Sequence, residues 1–263
     1  MAVILLFGHG YVGSHLARTL RASFDLIWRR HDEPFRVPLP DSAIIVNAAG
    51  FVGTPNADAC ELQRDACVDG NVTWPARLER WAGAVPVLHI GSGCLYHGGP
   101  WTETEKPAPL DTLSFYSQCR ILTESALRPF LGKSWLLRIR QPFSADPHPH
   151  NLLMKLRRYP RLVNHTNSIT CLDDLGHVVT HFLRHRPEPG LYNATNIAPV
   201  SNVQIAGLMG LAKPWMSDAE FAAEVSAPRT VCLLNTAKLQ AVCAMRPTVA
   251  ALEDCIRKLQ DVH

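Results

Sequence analysis

Several features that assign proteins to other classes are absent from this sequence. No apolar run approaches the roughly 18 residues that span a bilayer, and the N-terminus lacks the charged region and small-residue cleavage site of a signal peptide. The 8 cysteines form no C-x-x-C pair and share no metal-ligand spacing with the 12 histidines. Internal repeats and low-complexity tracts are also missing. We therefore expect a cytoplasmic protein with free thiols, no bound metal and no membrane partner.

Lysine is scarce, with 6 residues against 20 arginines, and the net charge is only +3. The basic residues are spread along the chain apart from Arg157, Arg158 and Arg161, so we expect no nucleic-acid partner. A modest positive charge suits an anionic nucleotide sugar or NADPH. With 263 residues, 47% of them hydrophobic, the chain can bury a sizeable core as one large domain or as a domain with a smaller lobe.

The first thirty residues carry a strong nucleotide-binding signal. An apolar run over residues 2–7 leads into GHGYVG at positions 8–13, and a helical pattern follows. The first glycine permits a tight turn, the second lets the backbone approach a pyrophosphate, and the third lets helix and strand pack closely. The cofactor-binding residues predicted in this turn are Gly8, Gly10, Tyr11, Val12 and Gly13.

The end of the next strand indicates which dinucleotide binds. The strand is predicted near Phe24–Trp28, and Arg29 and Arg30 follow it where NAD-binding folds carry an acidic residue. Two guanidinium groups can hold a 2'-phosphate, so we expect NADPH, with NADH possible. Asp32 and Glu33 lie close by and keep the reading of a solvated charged surface open.

Strand-like and helical segments alternate over the first two thirds of the chain, which predicts an α/β fold, a Rossmann-type doubly wound parallel sheet. Strands are expected near 42–47, 85–90, 134–140 and 190–194, and helices over 56–67, 72–81, 114–127 and 173–184. Three prolines between 142 and 149 interrupt this pattern. We predict an NADP-binding domain of residues 1–145 and about 168–195, and a smaller C-terminal substrate-binding lobe of about 146–167 and 196–263.

Polar and small residues at the carboxyl ends of these strands are candidates for a site, because ligands of such folds bind there. They are Asn47, Ala48, Ala49 and Gly50 after one strand, and Ser92 and Cys94 after the next. Tyr116 and Arg120 are four residues apart and therefore share one helical face. Taken separately, each of these residues also has a purely structural interpretation.

Together they resemble the extended short-chain dehydrogenase/reductase superfamily, in which a Ser or Thr, a Tyr and a Lys support hydride transfer. Ser92 and Tyr116 fall on that pattern, whereas position 120 is arginine. The sequence is more similar to the nucleotide-rhamnose synthase/epimerase-reductase family, relatives of dTDP-4-dehydrorhamnose reductase, from Gly8 to about Lys238. The segments that carry this resemblance are VNAAGFVGTPNADACE (46–61), GSGCLYHG (91–98), SFYSQCR (114–120), LRIRQPFSAD (137–146), NLLMKLRRYPRLVNHTNSIT (151–170) and APRTVCLLNTAKL (227–239).

The resemblance implies a bifunctional 3,5-epimerase/4-reductase. Such enzymes epimerise C3 and C5 of a nucleotide 4-keto-6-deoxyglucose and reduce C4 with NAD(P)H to give nucleotide-L-rhamnose. By motif position, Cys94 and Lys155 would serve the epimerase step, and Ser92 and Tyr116 would bind the C4 carbonyl. Arg120 can hold the nicotinamide ribose but cannot relay a proton, so we expect weakened reduction.

The resemblance also implies cofactor and substrate contacts. Asn71 matches an asparagine near the active site of the superfamily, and Tyr116 and Arg120 would also contact the cofactor. The substrate-binding residues implied are Thr54, Asn56, Arg140, Asn164, Asn167 and Arg229, with the arginines placed to hold a diphosphate. A homodimer is common in this superfamily and is expected here.

Other interpretations stay open at this point. Arg120 also fits an epimerase without reductase activity, or a non-catalytic NADP-binding regulatory subunit, as occurs among relatives of dTDP-4-dehydrorhamnose reductase. A short-chain reductase of a non-sugar ketone would explain the first domain but not the later segments. The motifs do not separate a UDP substrate from a dTDP substrate.

Overall fold

The computed structural model describes residues 3–31, 43–54 and 56–261. Its strands are β1 (Val3–Phe7), β2 (Asp25–Arg29), β3 (Ile44–Asn47), β4 (Val87–Ser92), β5 (Gly98–Trp101), β6 (Trp135–Ile139), β7 (Pro142–Phe143), β8 (Leu162–Val163), β9 (Thr166–Asn167), β10 (Thr170–Cys171), β11 (Gly190–Asn193), β12 (Val200–Ser201), β13 (Trp215–Met216) and β14 (Cys232–Leu234). Its α-helices are α1 (Tyr11–Arg21), α2 (Arg64–Val68), α3 (Trp74–Ala82), α4 (Phe115–Leu127), α5 (Leu152–Arg158), α6 (Leu172–His185), α7 (Asn202–Leu208), α8 (Asp218–Glu224), α9 (Ala237–Gln240) and α10 (Thr248–Gln260).

Six of these strands form a parallel sheet in the order β2-β1-β3-β4-β6-β11. The chain leaves β1 for β2 on one side and returns to β3 on the other, so the order reverses between β1 and β3. Ligands of doubly wound sheets bind in the crevice at such a reversal, beyond the carboxyl ends of the strands. The predicted Rossmann-type fold is confirmed, and the crevice lies beside the glycine-rich turn.

Both faces of the sheet are covered. Ile4 and Leu6 of β1 join the cluster that α1 and α6 form on one face, while Leu5 and Phe7 join the cluster of α3 on the other. Alternate strand residues point to opposite faces, and the four residues from Ile4 to Phe7 are therefore all buried. A third cluster gathers α5, α7 and α10. The residue ranges of the two lobes remain a prediction from the sequence.

The region predicted as helices 56–67 and 72–81 is divided differently. A short 3₁₀ turn covers Ala57–Glu61, α2 follows, and a π-helical turn over Asp69–Thr73 precedes α3. Pro75 has no amide hydrogen to donate to the Asn71 carbonyl, as an uninterrupted α-helix requires. That carbonyl accepts the Thr123 hydroxyl of α4 instead, over 2.6 Å. The π turn therefore ties α3 to α4.

The remaining boundaries agree with the sequence patterns to within three residues. In the described ranges, no helix combines the length and the apolar character that crossing a bilayer requires.

Candidate active site

The glycine-rich turn has the shape that a dinucleotide pyrophosphate requires. Gly8 adopts φ +114°, and a Cβ there would lie 2.6 Å from the Ala48 carbonyl carbon. A Cβ on Gly13 would lie 2.3 Å from the Gly8 carbonyl oxygen, so both glycines are needed for packing. A Cβ on Gly10, in contrast, would meet open space, and no side chain caps α1, which begins there. Its first-turn amides suit an anion, so this turn fits a nucleotide cofactor.

The side chain of Tyr11 serves a different purpose from the turn around it. Its hydroxyl shares a 2.8 Å hydrogen bond with Ser144, and its ring stacks on His148 at 4.6 Å. Tyr11 thus links α1 to the loop that follows β7. Tyr11 and Val12 can serve a bound pyrophosphate through their backbone amides.

Arg29 and Arg30 lie exposed at the end of β2, next to the turn, and the Arg29 carbonyl accepts the Gly8 amide over 3.1 Å. This position is compatible with a 2'-phosphate contact, which stays a prediction. Asp32 and Glu33, which bear on the same question, lie outside the described residues.

Two buried asparagines hold the loop after β3. Asn47 accepts the Ala49 amide and the Trp74 indole N–H through Oδ1, and its Nδ2 hydrogen-bonds His89. Asn71 accepts the Phe51 amide and donates to the Phe51 carbonyl. Their side chains therefore position the loop rather than offer free groups to a cofactor.

The loop that these asparagines hold carries Ala48, Ala49 and the exposed Gly50. A Cβ on Gly50 would lie 3.2 Å from Arg120 Nη2, so the loop and α4 are closely apposed.

Tyr116 and Arg120 contact each other on α4. Arg120 Nε donates to the Tyr116 hydroxyl over 3.1 Å, and α4 is fixed at its start by Glu61, which accepts the Phe115 amide. Burial alone would lower the pKa of the Arg120 guanidinium, but Tyr116 and the nearby thiols Cys94 and Cys67 raise it. Arg120 is therefore a permanent cation between the tyrosine and the thiols.

Cys94 lies two residues beyond β4 and is held by polar groups. Its amide donates to Ser92 Oγ over 3.2 Å, and Arg140 Nη1 donates to its sulfur over 3.2 Å. Burial alone would raise the pKa of the thiol, but Arg140, hydrogen bonds with Ser92 and Thr230, and the charge of Arg120 together lower it. A thiol with a lowered pKa can act as a base.

Lys155 of α5 lies close enough to Cys94 for the charge of the thiolate to raise its pKa. Burial has the opposite effect, and the charges of Arg158 and Arg229 add to it, so that the pKa of the ammonium is lowered overall. A partly desolvated amine with a lowered pKa can give and take protons near neutral pH.

The residues implied as substrate contacts fall into three places. Thr54 and Asn56 lie in the loop after β3, where Asn56 caps the 3₁₀ turn, and Arg229 pairs with Asp58 of that turn over 2.7 Å. Asn164 accepts the Val203 amide of α7 over 3.4 Å. This hydrogen bond joins Asn164 to α7 and not to the surroundings of Cys94.

Arg140 and Asn167 form the third place, and their geometry differs from what the resemblance implied. Arg140 is only 2% exposed, and it donates to Asn167 Oδ1 over 2.6 Å as well as to Cys94. Its guanidinium is enclosed by protein groups and is not available to a substrate diphosphate, contrary to what the resemblance implied. Thr230, which receives two further hydrogen bonds from Arg140, was missed by the sequence analysis although it follows Arg229 directly.

One group of potential metal ligands occurs among the described residues, away from these side chains. Donor atoms of Cys171, Asp173 and Cys255 lie within 4.8 Å of one another. However, Arg246 Nη2 lies 3.7 Å from the Cys171 sulfur and Lys258 Nζ lies 3.9 Å from the Asp173 carboxylate. Two cations already occupy the surroundings of this group, so we assign no metal to it.

Comparison with known proteins finds rhamnose synthases and reductases among the relatives of this chain. The bifunctional dTDP-4-dehydrorhamnose 3,5-epimerase/dTDP-4-dehydrorhamnose reductase of Arabidopsis thaliana is 33% identical over 172 residues, 61% of this chain and 56% of that protein. A trifunctional UDP-glucose 4,6-dehydratase/UDP-4-keto-6-deoxy-D-glucose 3,5-epimerase/UDP-4-keto-L-rhamnose-reductase of the same plant is 32% identical over 171 residues, 61% of this chain and 26% of that protein. This chain is similar to rhamnose synthases and reductases. The matches span only about half and about a quarter of these relatives.

Solved structures agree on the fold. The crystal structure of a UDP-rhamnose synthase from Acanthamoeba polyphaga mimivirus has a TM-score of 0.86 at 23% identity, covering 97% of this chain and 99% of that one. A dTDP-4-dehydrorhamnose reductase from Bacillus anthracis, solved in complex with NADP, has a TM-score of 0.80 at 15% identity, covering 100% and 99%. No protein-family model matches the chain. The resemblance drawn from the motifs is confirmed by these relatives.

Proposed function

We propose that this chain is an NADP(H)-dependent nucleotide-sugar epimerase/reductase. It would take a UDP- or dTDP-linked 4-keto-6-deoxyglucose, epimerise C3 and C5, and reduce C4 to give nucleotide-L-rhamnose. The observation that carries the proposal is the Cys94 sulfur, which Arg140 holds at 3.2 Å and which lies close enough to Lys155 of α5 for the two charges to interact. A homodimer and a cytoplasmic location remain predictions from the sequence.

The epimerase step needs a base, an acid and a group that stabilises an enolate oxygen. In the proposal, the Cys94 thiolate removes a proton next to the C4 ketone and becomes a thiol. Lys155 then donates a proton to the same carbon from the opposite face of the sugar. Ser92 and Tyr116 donate hydrogen bonds to the C4 oxygen, where the negative charge develops.

The reductase step uses the same carbonyl contacts. NADPH, when bound, supplies a hydride to C4 of the sugar. Tyr116 donates its hydroxyl proton to the C4 oxygen, and Arg120 holds the phenol through its Nε hydrogen bond. Because a guanidinium does not release its proton at neutral pH, Tyr116 must be reprotonated from solvent. We therefore expect slow reduction beside full epimerisation.

A second candidate function is an epimerase without reductase activity, and the contact of Arg120 with the Tyr116 hydroxyl favours it. The phenol is held by a donor that cannot replace a lost proton. In this case the 3,5-epimerised 4-keto sugar would leave the site unreduced.

Isotope exchange in heavy water tests the proposal. The 4-keto-6-deoxyglucose nucleotide is incubated with the protein, and proton NMR measures deuterium at C3 and C5, first without cofactor and then with NADPH or NADH. Exchange at both carbons is expected with the UDP or the dTDP substrate, and Cys94→Ser serves as the control that removes it. No exchange with either nucleotide would contradict the epimerase assignment and leave a non-catalytic NADP-binding subunit. Exchange without reduced product would select the second candidate.

A further inference from the structure

Two arginines of similar burial differ in how their charges are balanced. Arg138 lies in β6 and Arg140 just after it, and each is 2% exposed. Arg138 donates through Nε and Nη2 to the two oxygens of Glu124, at 2.7 Å each. Arg140 makes no ion pair with a carboxylate anywhere in the described ranges.

The groups that accept hydrogen bonds from Arg140 are neutral ones, except for the Cys94 thiol, which can ionise. Its Nη1 donates to Cys94 Sγ and to Thr230 Oγ1, and its Nη2 donates to Asn167 Oδ1 and to the Thr230 carbonyl. Among the described residues, its Nε has no hydrogen-bond partner. A guanidinium stays protonated in proteins, and a buried charge without a counter-ion is strongly unfavourable. Of the groups that accept from Arg140, only the sulfur can become an anion.

We propose that Cys94 rests as a thiolate that is the counter-ion of Arg140, and that Arg140 is a positioning residue for the base of the epimerase step. This inference rests on the proposed function for its catalytic meaning. It replaces the diphosphate contact that the resemblance implied for Arg140.

The charged and titratable groups around the sulfur agree with this assignment. Arg140 follows β6 and donates to the sulfur, and the positive charges of Arg120 on α4 and Lys155 on α5 are both near enough to interact with it. The other thiol near Arg140 is Cys232 of β14, and burial raises its pKa to about 11. Cys232 is therefore neutral at neutral pH and does not compete as the counter-ion.

The proton balance of the step follows from this resting state. The thiolate gains the proton that leaves carbon, and Lys155 loses the proton that returns to the other face. The site then holds a neutral thiol and a neutral amine, and transfer of one proton from sulfur to nitrogen through solvent restores the starting state. No oxidant or reductant is needed, so the step proceeds without NADPH turnover.

Alkylation of the thiol tests the assignment without substrate. A Cys243→Ser background removes the other partly exposed thiol. The rate of iodoacetamide modification at Cys94 is measured by mass spectrometry across a pH series. We expect an inflection below that of an ordinary thiol. In Arg140→Gln the inflection should move up by at least a unit, about a tenfold loss of thiolate on the acid side. Arg140→Lys should recover part of that loss.

The control is Arg257→Gln, which removes the same charge from the exposed face of α10, where Arg257 pairs with Asp254. Its inflection should match the background protein. An unchanged inflection in a folded Arg140→Gln, or an ordinary thiol value in the background protein, would overturn the proposal. If Arg140→Gln does not fold, the ultraviolet absorbance of the thiolate is measured across the pH series in the background protein and in Cys94→Ser. The difference between the two should titrate below an ordinary thiol, and an ordinary value would overturn the proposal. If the alkylation series shows a Cys94 thiolate but the protein exchanges no deuterium at C3 and C5, the result would contradict the proposed function and leave the thiolate assignment standing.

Discussion

Replacing Arg120 with lysine gives the residue that the short-chain dehydrogenase/reductase pattern has four positions after the tyrosine. In this chain the guanidinium donates to the Tyr116 hydroxyl over 3.1 Å, and its charge also helps to lower the pKa of the Cys94 thiol. A lysine keeps the positive charge next to both groups and adds an ammonium that can pass a proton to the phenol. Replacing Arg120 with lysine therefore separates the effect of the charge at residue 120 from the effect of a proton relay there.

The expected magnitude follows from that separation. A positioned proton donor contributes roughly 10²- to 10⁴-fold to a rate. Tyr116 already donates its proton directly to the C4 oxygen, and the relay only accelerates the reprotonation of the phenol. We therefore expect C4 reduction to rise by about tenfold, which is below that range. Because the charge near Cys94 is conserved, deuterium exchange at C3 and C5 should change by less than about threefold, under 1 kcal/mol in the barrier.

Both steps are measured on the same 4-keto-6-deoxyglucose nucleotide. NADPH oxidation at saturating substrate reports the reduction, and NMR in heavy water reports the exchange. Arg120→Met is the control that removes the charge, and it should slow both steps. Tyr116→Phe should slow the reduction more than the exchange, because it removes the proton donor of the reduction but only one of the two hydrogen bonds to the C4 oxygen in the epimerase step. If Arg120→Lys folds and exchanges deuterium normally but reduces C4 no faster than the unmodified protein, a proton relay at this position does not limit the reaction.

Four further predictions follow from contacts and charges in the structure. Gly10→Ala should leave the thermal midpoint nearly unchanged but weaken NADPH binding measured by fluorescence, because its Cβ meets only the space that the pyrophosphate would approach. Gly13→Ala should instead lower the free energy of unfolding by about 3 kcal/mol in denaturant titration, since its Cβ would overlap backbone. Lys155→Met should abolish inversion at C3 and C5, measured by NMR of the product, while NADPH still binds, and retained inversion would remove the amine from the mechanism. Burial lowers the pKa of His15, but hydrogen bonds with two carboxylates raise it overall, so its contribution to stability is complete below about pH 6.5 and is lost as pH rises through the higher folded-state pKa. The difference in unfolding free energy between the unmodified protein and His15→Gln should therefore be largest in acid, and a difference that grows with pH would contradict this.

The sheet and its nucleotide-binding turn are predictable from sequence because their signals are local. The apolar run that ends at Phe7, the glycine spacing and the helical pattern after it lie within about twenty consecutive residues. The division of residues 56–82 was not predictable in the same way. Its π turn depends on Pro75 and on a hydroxyl of α4, which lies 52 residues from the carbonyl it binds. Tertiary contacts overrode the helical periodicity there.

Candidate site residues could be named from the sequence, but the electrostatic surroundings of their side chains could not. The motif positions of Cys94 and Lys155 come from the resemblance, and the folded chain adds that Arg140 donates to the Cys94 sulfur. The partners of Arg140 at Thr230 are 90 residues away in the chain, and no local pattern reports whether a guanidinium has a carboxylate partner. Sequence reasoning assigned Arg140 to a diphosphate because arginines commonly bind phosphate. Burial and the missing carboxylate, which are properties of the folded chain, reverse that assignment.

The presence of arginine, and not lysine, at position 120 also determines which groups in the site can gain or lose a proton. With lysine there, two amines and one thiol would titrate close to one another, and each would shift the pKa of the others. With Arg120 and Arg140, the two guanidinium groups are permanent charges, and Cys94 and Lys155 are the groups whose protons can move. The permanent charges favour the thiolate, and the thiolate in turn favours the ammonium of Lys155. The pair is thus poised with the base deprotonated and the acid protonated, the state from which exchange at carbon begins. An arginine at position 120 would therefore weaken the reductase while keeping the charge that favours the epimerase, so the reduction should respond to the proton-relaying ability of residue 120 and the exchange should hardly change.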